Sequence, residues 1–307
     1  MTETYEVIVI GGGAAGLSAA LVLGRARRHT LVVDAGEPRN APAAHMQGFL
    51  TRDGVPPAEF LALGREEIKR YGVELVRDRV VEVAEGFAVT LESGRVLRAR
   101  RLVVATGLRD ELPDVPGVAE RFGKDVLHCP YCHGWEVRDQ AFGVLATTPL
   151  SVHQALMVSQ WSKDVTFFLH EVAESELSDD DLRRLAAAGV KVVPGEVAEL
   201  VVADDRLTAV RLTDGTTHAR EVVFTAPRAI PQSGLLEQLG ADLTETPFGA
   251  YPVVDATGQT TVPGVWAVGN AMGFAEQVIN AAAGGYRAGA TINGDLLMTD
   301  LDAAVGV

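Results

Sequence analysis

The sequence holds two cysteines, Cys129 and Cys132, and they form a single C-x-x-C in Cys129-Pro130-Tyr131-Cys132. Two thiols at that spacing can close a small disulfide ring, and a lowered thiolate pKa at one of them makes it an attacking group. A fold stapled by disulfides needs more cysteines, spread along the chain. A structural zinc site usually needs four ligands, often as two such pairs. Here one pair is flanked by His128 and His133, adjacent residues that do not readily wrap one tetrahedral ion, so no metal is expected. A redox pair or a chance spacing remains. His133 directly follows the pair, where an imidazole can take a proton from a leaving or attacking sulfur. His128 has a weaker claim to that role, and His45, His153 and His170 have no comparable context.

The second constellation is Gly11-x-Gly13-x-x-Gly16. In a nucleotide-binding turn the first glycine permits the tight bend, the second lets backbone approach a pyrophosphate, and the third lets helix pack on strand. The helix N-terminus then offers free N–H groups and a positive dipole to the anion. Asp34 follows, where an acid can accept hydrogen bonds from ribose hydroxyls.

These residues need elements to hold them. Tyr5–Ile10 and Thr30–Val33 read as buried parallel strands, with a helix-compatible run Leu17–Arg25 between them, a βαβ unit. Pro56–Tyr71 reads as a helix, with Pro57 near its start and Gly72 beyond its end. Alternating segments around Glu74–Val83, Ala88–Leu91 and Val96–Leu97 suit a small antiparallel sheet, and Leu102–Ala105 is again a buried strand. Leu112–Gly117 carries two prolines and a glycine and reads as a linker. Beyond it the pattern partly repeats: strand Phe142–Ala146, helix Leu150–Trp161, strand Val165–Leu169, then short strands at Val192–Val193, Leu200–Val202, Ala209–Leu212 and Val222–Thr225. A second linker is expected at Thr246–Gly249. The remaining segment, with strand Val265–Val268 and helix Ala275–Asn293, is too short to bury its own core and is expected to return and complete the first domain. Thr299–Val307 reads as a disordered tail.

Composition bounds the function. The chain has 307 residues, 47% hydrophobic and 22% charged, an ordinary globular balance that suggests two domains. Its net charge of -14 argues against nucleic acid and against an anionic membrane surface as partners. Met1–Glu6 carries two acids and no positive region, and no run of about 18 apolar residues exists. A cytoplasmic protein is expected.

The motifs VIVIGGGAAGLSAA, VVATGLRDELPDVPG, CPYCHG and PGVWAVGN followed by EQVINAAAGG, in that order, make the chain resemble the low-molecular-weight thioredoxin reductase group of flavin disulfide oxidoreductases over nearly its whole length. The resemblance implies an α/β protein of the FAD/NAD(P)-binding fold, two Rossmann-like three-layer domains with the second inserted into the first. The expected boundaries are 1–114 and 246–307 for the FAD domain and 115–245 for the inserted, NAD(P)-type domain that carries C-x-x-C. It further implies that Gly11, Gly13, Ala15, Gly16 and Asp34 bind the ADP half of FAD, and that Ala105, Thr106 and Gly107 line the nucleotide. Gly269 and Asn270 would meet the pyrophosphate and ribityl chain, and Gln277 and Val278 the flavin ring. Cys132 would be the cysteine nearer the flavin and Cys129 its substrate-facing partner. A homodimer is implied as well.

Three departures narrow the resemblance. The second βαβ reads Val144-Leu145-Ala146-Thr147-Thr148-Pro149-Leu150 where the reductases carry G-x-G-x-x-A/G. The next strand ends Phe167-Phe168-Leu169-His170-Glu171, without the paired arginines that grip an NADPH 2′-phosphate. The acid after the second cysteine is His133, and the flavin-domain Gly-Asp is Gly269-Asn270. The first two argue against productive NADPH binding in the usual site; the intact first motif retains FAD. The pattern resembles the FAD-dependent dithiol oxidases of the gliotoxin and holomycin type. There a dithiol is oxidised through the cysteine pair, with electrons passing to FAD and then to dioxygen as hydrogen peroxide. The alternative is a disulfide reductase fed by NADPH in an atypical site or by a donor such as ferredoxin, with thioredoxin as partner. A non-catalytic flavin-binding sensor is a third reading, which would not require C-x-x-C beside a histidine.

Overall fold

A computed structural model describes residues 3–306; Met1, Thr2 and Val307 lie outside the described residues. The chain begins with β1 (Glu3–Ile10), α1 (Ala14–Arg25), β2 (Thr30–Asp34), α2 (Pro57–Lys69), β3 (Glu74–Arg77), β4 (Val80–Ala84), β5 (Ala88–Leu91) and β6 (Val96–Val104). Strand β7 (Leu108–Glu111) leads to α3 (Val118–Arg121), β8 (Val126–Leu127), α4 (Pro130–His133), β9 (Phe142–Leu145), α5 (Ser151–Val158) and β10 (Val165–Phe168). Then come α6 (Asp179–Ala187), β11 (Lys191–Val193), β12 (Val197–Ala203), β13 (Arg206–Leu212), β14 (Thr217–Ala219) and β15 (Val222–Thr225). Strand β16 (Arg228–Pro231), α7 (Gly234–Gln238), β17 (Leu243–Thr246), β18 (Gly249–Pro252), β19 (Val265–Ala267) and α8 (Val278–Val305) complete it.

The chain divides into two compact units, one formed by residues 1–41, 55–109 and 229–307, the other by 42–54 and 110–228. The second unit starts and stops earlier than the 115–245 expected from the linkers. The physical reason is α7: Leu235 and Leu236 bury in the same apolar cluster as Val80, Val83 and Leu97, so residues after Arg228 belong with the first sheet.

The first unit is built on a 7-stranded sheet, six strands in the order β3-β2-β1-β6-β5-β4 with β19 added beside β6. Strand β6 is long enough to pair twice on one edge. Its beginning, Val96–Arg98, pairs antiparallel with β5, and its end, Leu102–Val104, pairs parallel with β19. The segments expected as a separate antiparallel sheet therefore extend the main one, and β3 joins its parallel part beside β2. The continuous apolar run Val7–Ile10 is buried on both faces, as parallel strands covered by helices must be. The expected linker at Thr246–Gly249 is instead the turn of the β17–β18 hairpin. The expected disordered tail is helical to Val305, because Arg101 pairs with Asp295 at 2.5 Å and Arg100 with Asp300 at 2.5 Å. No helix among the described residues is long and apolar enough to cross a membrane.

The second unit repeats the plan with a parallel sheet β11-β10-β9-β15-β8 and a three-stranded antiparallel sheet β12-β13-β14. Val115, Val118, Leu145, Phe168, Leu200 and Val210 form one apolar cluster of this unit. The fold is thus mixed α/β with two Rossmann-like parallel sheets.

Candidate functional site

In the first unit the carboxyl ends of β1, β2, β6 and β19 bring most of the expected nucleotide residues together, where ligands bind in open parallel sheets. Gly11 has φ +110°, and a Cβ there would overlap the Ala105 carbonyl, so the β1 and β6 ends touch through backbone. A Cβ at Gly16 would overlap the Gly11 carbonyl, which is the close helix–strand approach expected of the third glycine. Gly13 is different. It caps α1 in extended geometry, and a Cβ built on it meets nothing within 4 Å. That open cradle in front of a helix N-terminus is what an FAD diphosphate requires, so the residues present fit the cofactor.

Asp34 is 8% exposed, and its Oδ1 accepts from Gly12 N–H at 3.2 Å and Gly36 N–H at 3.0 Å. One carboxylate oxygen therefore fixes the glycine turn, while Oδ2 faces Arg65 at 3.5 Å. Gly269 packs on Ala15 and Ala281, a Cβ there falling 2.9 Å from the Ala15 side chain and 3.5 Å from that of Ala281. This sets the first turn of α8, with Gln277 as its N-cap and Val278 as its first residue, beside the glycine turn. Asn270 uses its amide internally, donating to the Gly273 and Phe274 carbonyls at 3.0 and 3.1 Å, and Arg39 donates to its Oδ1 at 3.4 Å. Thr106 and Gly107 meet the start of the returning chain: Thr106 Oγ1 donates to Gln232 O at 3.0 Å, and Gln232 N–H to Gly107 O at 3.3 Å.

The sequence motifs did not point to Arg39 and Arg65. Both lie outside the glycine fingerprint and reach it only through the fold, so no local pattern announces them.

In the second unit Cys129 and Cys132 are joined by a disulfide, with Cα atoms 5.2 Å apart. The pair follows β8 directly. Cys129 is the N-cap of α4, Pro130 occupies the first helical position, and the Cys132 N–H donates to Cys129 Sγ at 3.2 Å. That hydrogen bond favours a thiolate on Cys129 once the disulfide opens. His133 is half-buried, and its Nδ1 is fully enclosed. Burial pushes the imidazole below its ordinary range, against smaller opposing pulls from the Cys129 backbone and the Glu136 carboxylate. It is therefore neutral and able to accept a proton at pH 7. The His128 carbonyl accepts from Gln154 Nε2 at 2.6 Å, which anchors the residue before the pair.

The second βα turn is filled from within. Ser151, 2% exposed, accepts from the Thr147 and Thr148 N–H groups at 3.2 and 3.5 Å, while Thr147 Oγ1 donates to Ala226 O at 3.2 Å. Amides that would face a phosphate in such a turn are satisfied by a serine hydroxyl. At the end of β10, His170 is buried, its Nδ1 accepts from Val197 N–H at 3.1 Å, and desolvation holds it below its ordinary range. The Glu171 carboxylate lies 3.8 Å from its Nε2.

A family profile described as pyridine nucleotide-disulphide oxidoreductase matches residues 5–285. The chain belongs to this family. Thioredoxin reductase sirT of Leptosphaeria maculans is 32% identical over 97% of the chain and 96% of its own length. The crystal structure of HlmI is 50% identical with a TM-score of 0.94, covering 99% of this chain and 97% of that one. An oxidoreductase from Agrobacterium tumefaciens is 40% identical with a TM-score of 0.90, over 97% of this chain and 99% of its own. Membership makes the chain a flavin disulfide oxidoreductase, and FAD is the cofactor that the family implies.

Proposed function

We propose that the protein is an FAD-dependent dithiol oxidase that closes a disulfide in a small-molecule dithiol. The observation that carries this reading is the contrast between its two nucleotide turns: one open at Gly13, the other closed on itself by Ser151. An enzyme that draws electrons from a dithiol needs the first turn and not the second.

The chemistry follows from the second unit. A substrate thiolate attacks Cys129 Sγ, the Cys129–Cys132 bond breaks, and Cys132 leaves as a thiolate. The second substrate thiol attacks the substrate sulfur of the mixed disulfide and expels Cys129, whose thiolate the Cys132 N–H stabilises. The substrate has lost two electrons and two protons; the cysteine pair has gained the electrons. Neutral His133 is placed to accept a proton from an attacking thiol. FAD, when bound, would supply the two-electron acceptor for the reduced cysteine pair, with dioxygen as the final acceptor and hydrogen peroxide as the product. Gly11, Gly13, Gly16, Asp34, Ala105, Gly269 and Asn270 would hold it, with Arg39 the nearest guanidinium to Asn270. On this reading the protein acts in the cytoplasm, and as a homodimer, without nucleic-acid or membrane partners.

Anaerobic mixing tests the reading. A dithiol is expected to bleach the flavin stoichiometrically and NADPH to leave it oxidised. Rapid, stoichiometric bleaching by NADPH would sink the oxidase and favour a reductase that serves thioredoxin. A Cys132→Ser variant that oxidised dithiols at full rate would refute the cysteine relay.

A further inference from the structure

The redox pair is bordered by two large aromatic side chains that the fold leaves in solvent. Tyr131, inside the C-x-x-C, is 71% exposed, and Trp135 is 64% exposed. Past α4 the chain continues as a turn, with Gly134 N–H bonded to Pro130 O at 2.7 Å, Glu136 N–H to His133 O at 3.1 Å and Val137 N–H to His133 O at 3.3 Å. Tyr131 and Trp135 thus flank Cys132 in sequence, one residue before it and three after it. Both rings are braced. Tyr131 meets Trp161 edge-on with centroids 5.8 Å apart. The Arg138 guanidinium lies 4.1 Å from the Trp135 ring centroid and donates to the Trp135 carbonyl at 2.6 Å. One face of the indole is thus covered and the other left open.

We infer that Tyr131 and Trp135 form the specificity platform of the dithiol site, stacking on a flat apolar or aromatic ring that carries the two thiols. This rests on the oxidase reading and names the substrate class within it. Exposed rings held rigid beside a reactive disulfide have little to gain from water and much from a planar ligand. The size of the platform selects the occupant. Two aromatic side chains offer roughly 150–250 Å² each when fully buried, so the pair presents a few hundred Å² at most. A stable protein partner covers about 800 Å² per side. A small ring system matches the platform; a thioredoxin surface does not. Arg138, stacked behind Trp135, adds positive potential that favours an electron-rich ring or a carbonyl edge.

The test uses the FAD-loaded enzyme with 1,2-benzenedimethanethiol and with dithiothreitol, comparing kcat/KM for the two. Wild type is expected to prefer the aromatic dithiol. Trp135→Ala and Tyr131→Ala are each expected to lower that preference about tenfold through KM, and Trp135→Phe to restore most of it. Calorimetric binding of the cyclic disulfide product to the oxidised enzyme reports on the platform without turnover and is expected to weaken in the same variants. If binding depends on the rings but no dithiol is turned over, the oxidase reading fails and the platform stands. A preference unaltered by both substitutions, or ring-independent binding, overturns the platform. So does a ring dependence seen with reduced thioredoxin but not with the small dithiol.

Discussion

Replacing Gly13 with Ala is expected to leave the protein folded and to strip it of flavin. The backbone at Gly13 is extended, with φ −78° and ψ −173°, which alanine adopts without strain. No atom lies within 4 Å of the added methyl, so nothing must move. The loss of glycine's freedom in the unfolded chain stabilises by about 0.4–1 kcal/mol, and alanine's poorer helix capping opposes it by a similar amount. The apoprotein should therefore melt close to wild type. The same methyl occupies the space in front of α1 where a diphosphate must approach. Losing one charge-assisted hydrogen bond there, worth about 1.5–3 kcal/mol, weakens FAD binding roughly 10- to 100-fold. Gly16→Ala is the contrast. Its methyl overlaps the Gly11 carbonyl and stands 3.2 Å from Val9 Cγ1, so it is expected to lower apoprotein stability by about 1–3 kcal/mol or more. Apoprotein melting by circular dichroism, and titration of apoprotein with FAD by flavin fluorescence, separate the two effects. Gly13→Ala that binds FAD with wild-type affinity refutes the assignment of the open cradle to the cofactor.

Arg39→Gln is expected to weaken FAD about tenfold and to flatten the salt dependence of binding, since it removes the guanidinium held at Asn270; FAD titrations at two salt concentrations check this. Arg121, 5% exposed, is clamped by Asp125 and Asp205, and Arg121→Met leaves the half-buried Asp125 without its guanidinium though still bonded to Leu207 N–H at 2.8 Å, a loss of about 1–3 kcal/mol readable by urea unfolding. His133 and His170 both have folded pKa values held down by burial, below the unfolded value of about 6.5, so the unfolded chain binds protons that the folded one does not. Their contribution is intact above that value and is lost as pH falls below it; urea unfolding between pH 8 and 5 should show the decline, and His170→Asn should reduce its slope. His133→Ala is expected to lower kcat on a dithiol about 10²-fold and to abolish the acid limb, which in wild type lies below pH 6.5.

The parts of the site that rest on local backbone requirements were legible in the sequence. Three glycines between a buried strand and a helix, an acid after the next strand, and two cysteines across a proline each signal their geometry within a short window. What was not legible depends on distant partners. The helix α8 was legible only as far as Asn293, and it contains Gly284, Gly285, Gly289 and Gly294, a poor local signal for a long helix. Two of them admit α1: a Cβ at Gly285 would overlap the Ala15 carbonyl, and one at Gly289 would stand 2.8 Å from that of Ala19. Its last turns read as a tail because Arg28, Arg100 and Arg101, which hold them, lie far away in sequence. The placement of β3 was misread for the same reason, since alternation alone does not say which neighbour a strand will choose. The closure of the second turn hinges on Ser151, whose hydroxyl is an ordinary surface group in any sequence window.

The first unit is assembled from both ends of the chain. Strand β19 lies against β6, and α8 covers α1, so its sheet and its glycine turn are finished only once residues 265–305 have been made. The second unit is closed by residues 42–228 alone. During translation the disulfide-bearing half can therefore mature on the ribosome while the nucleotide half still lacks a strand and its longest helix. Cofactor loading then follows the second unit's completion. A chain that stalls short of Val265 would carry a finished disulfide and an unfinished nucleotide fold.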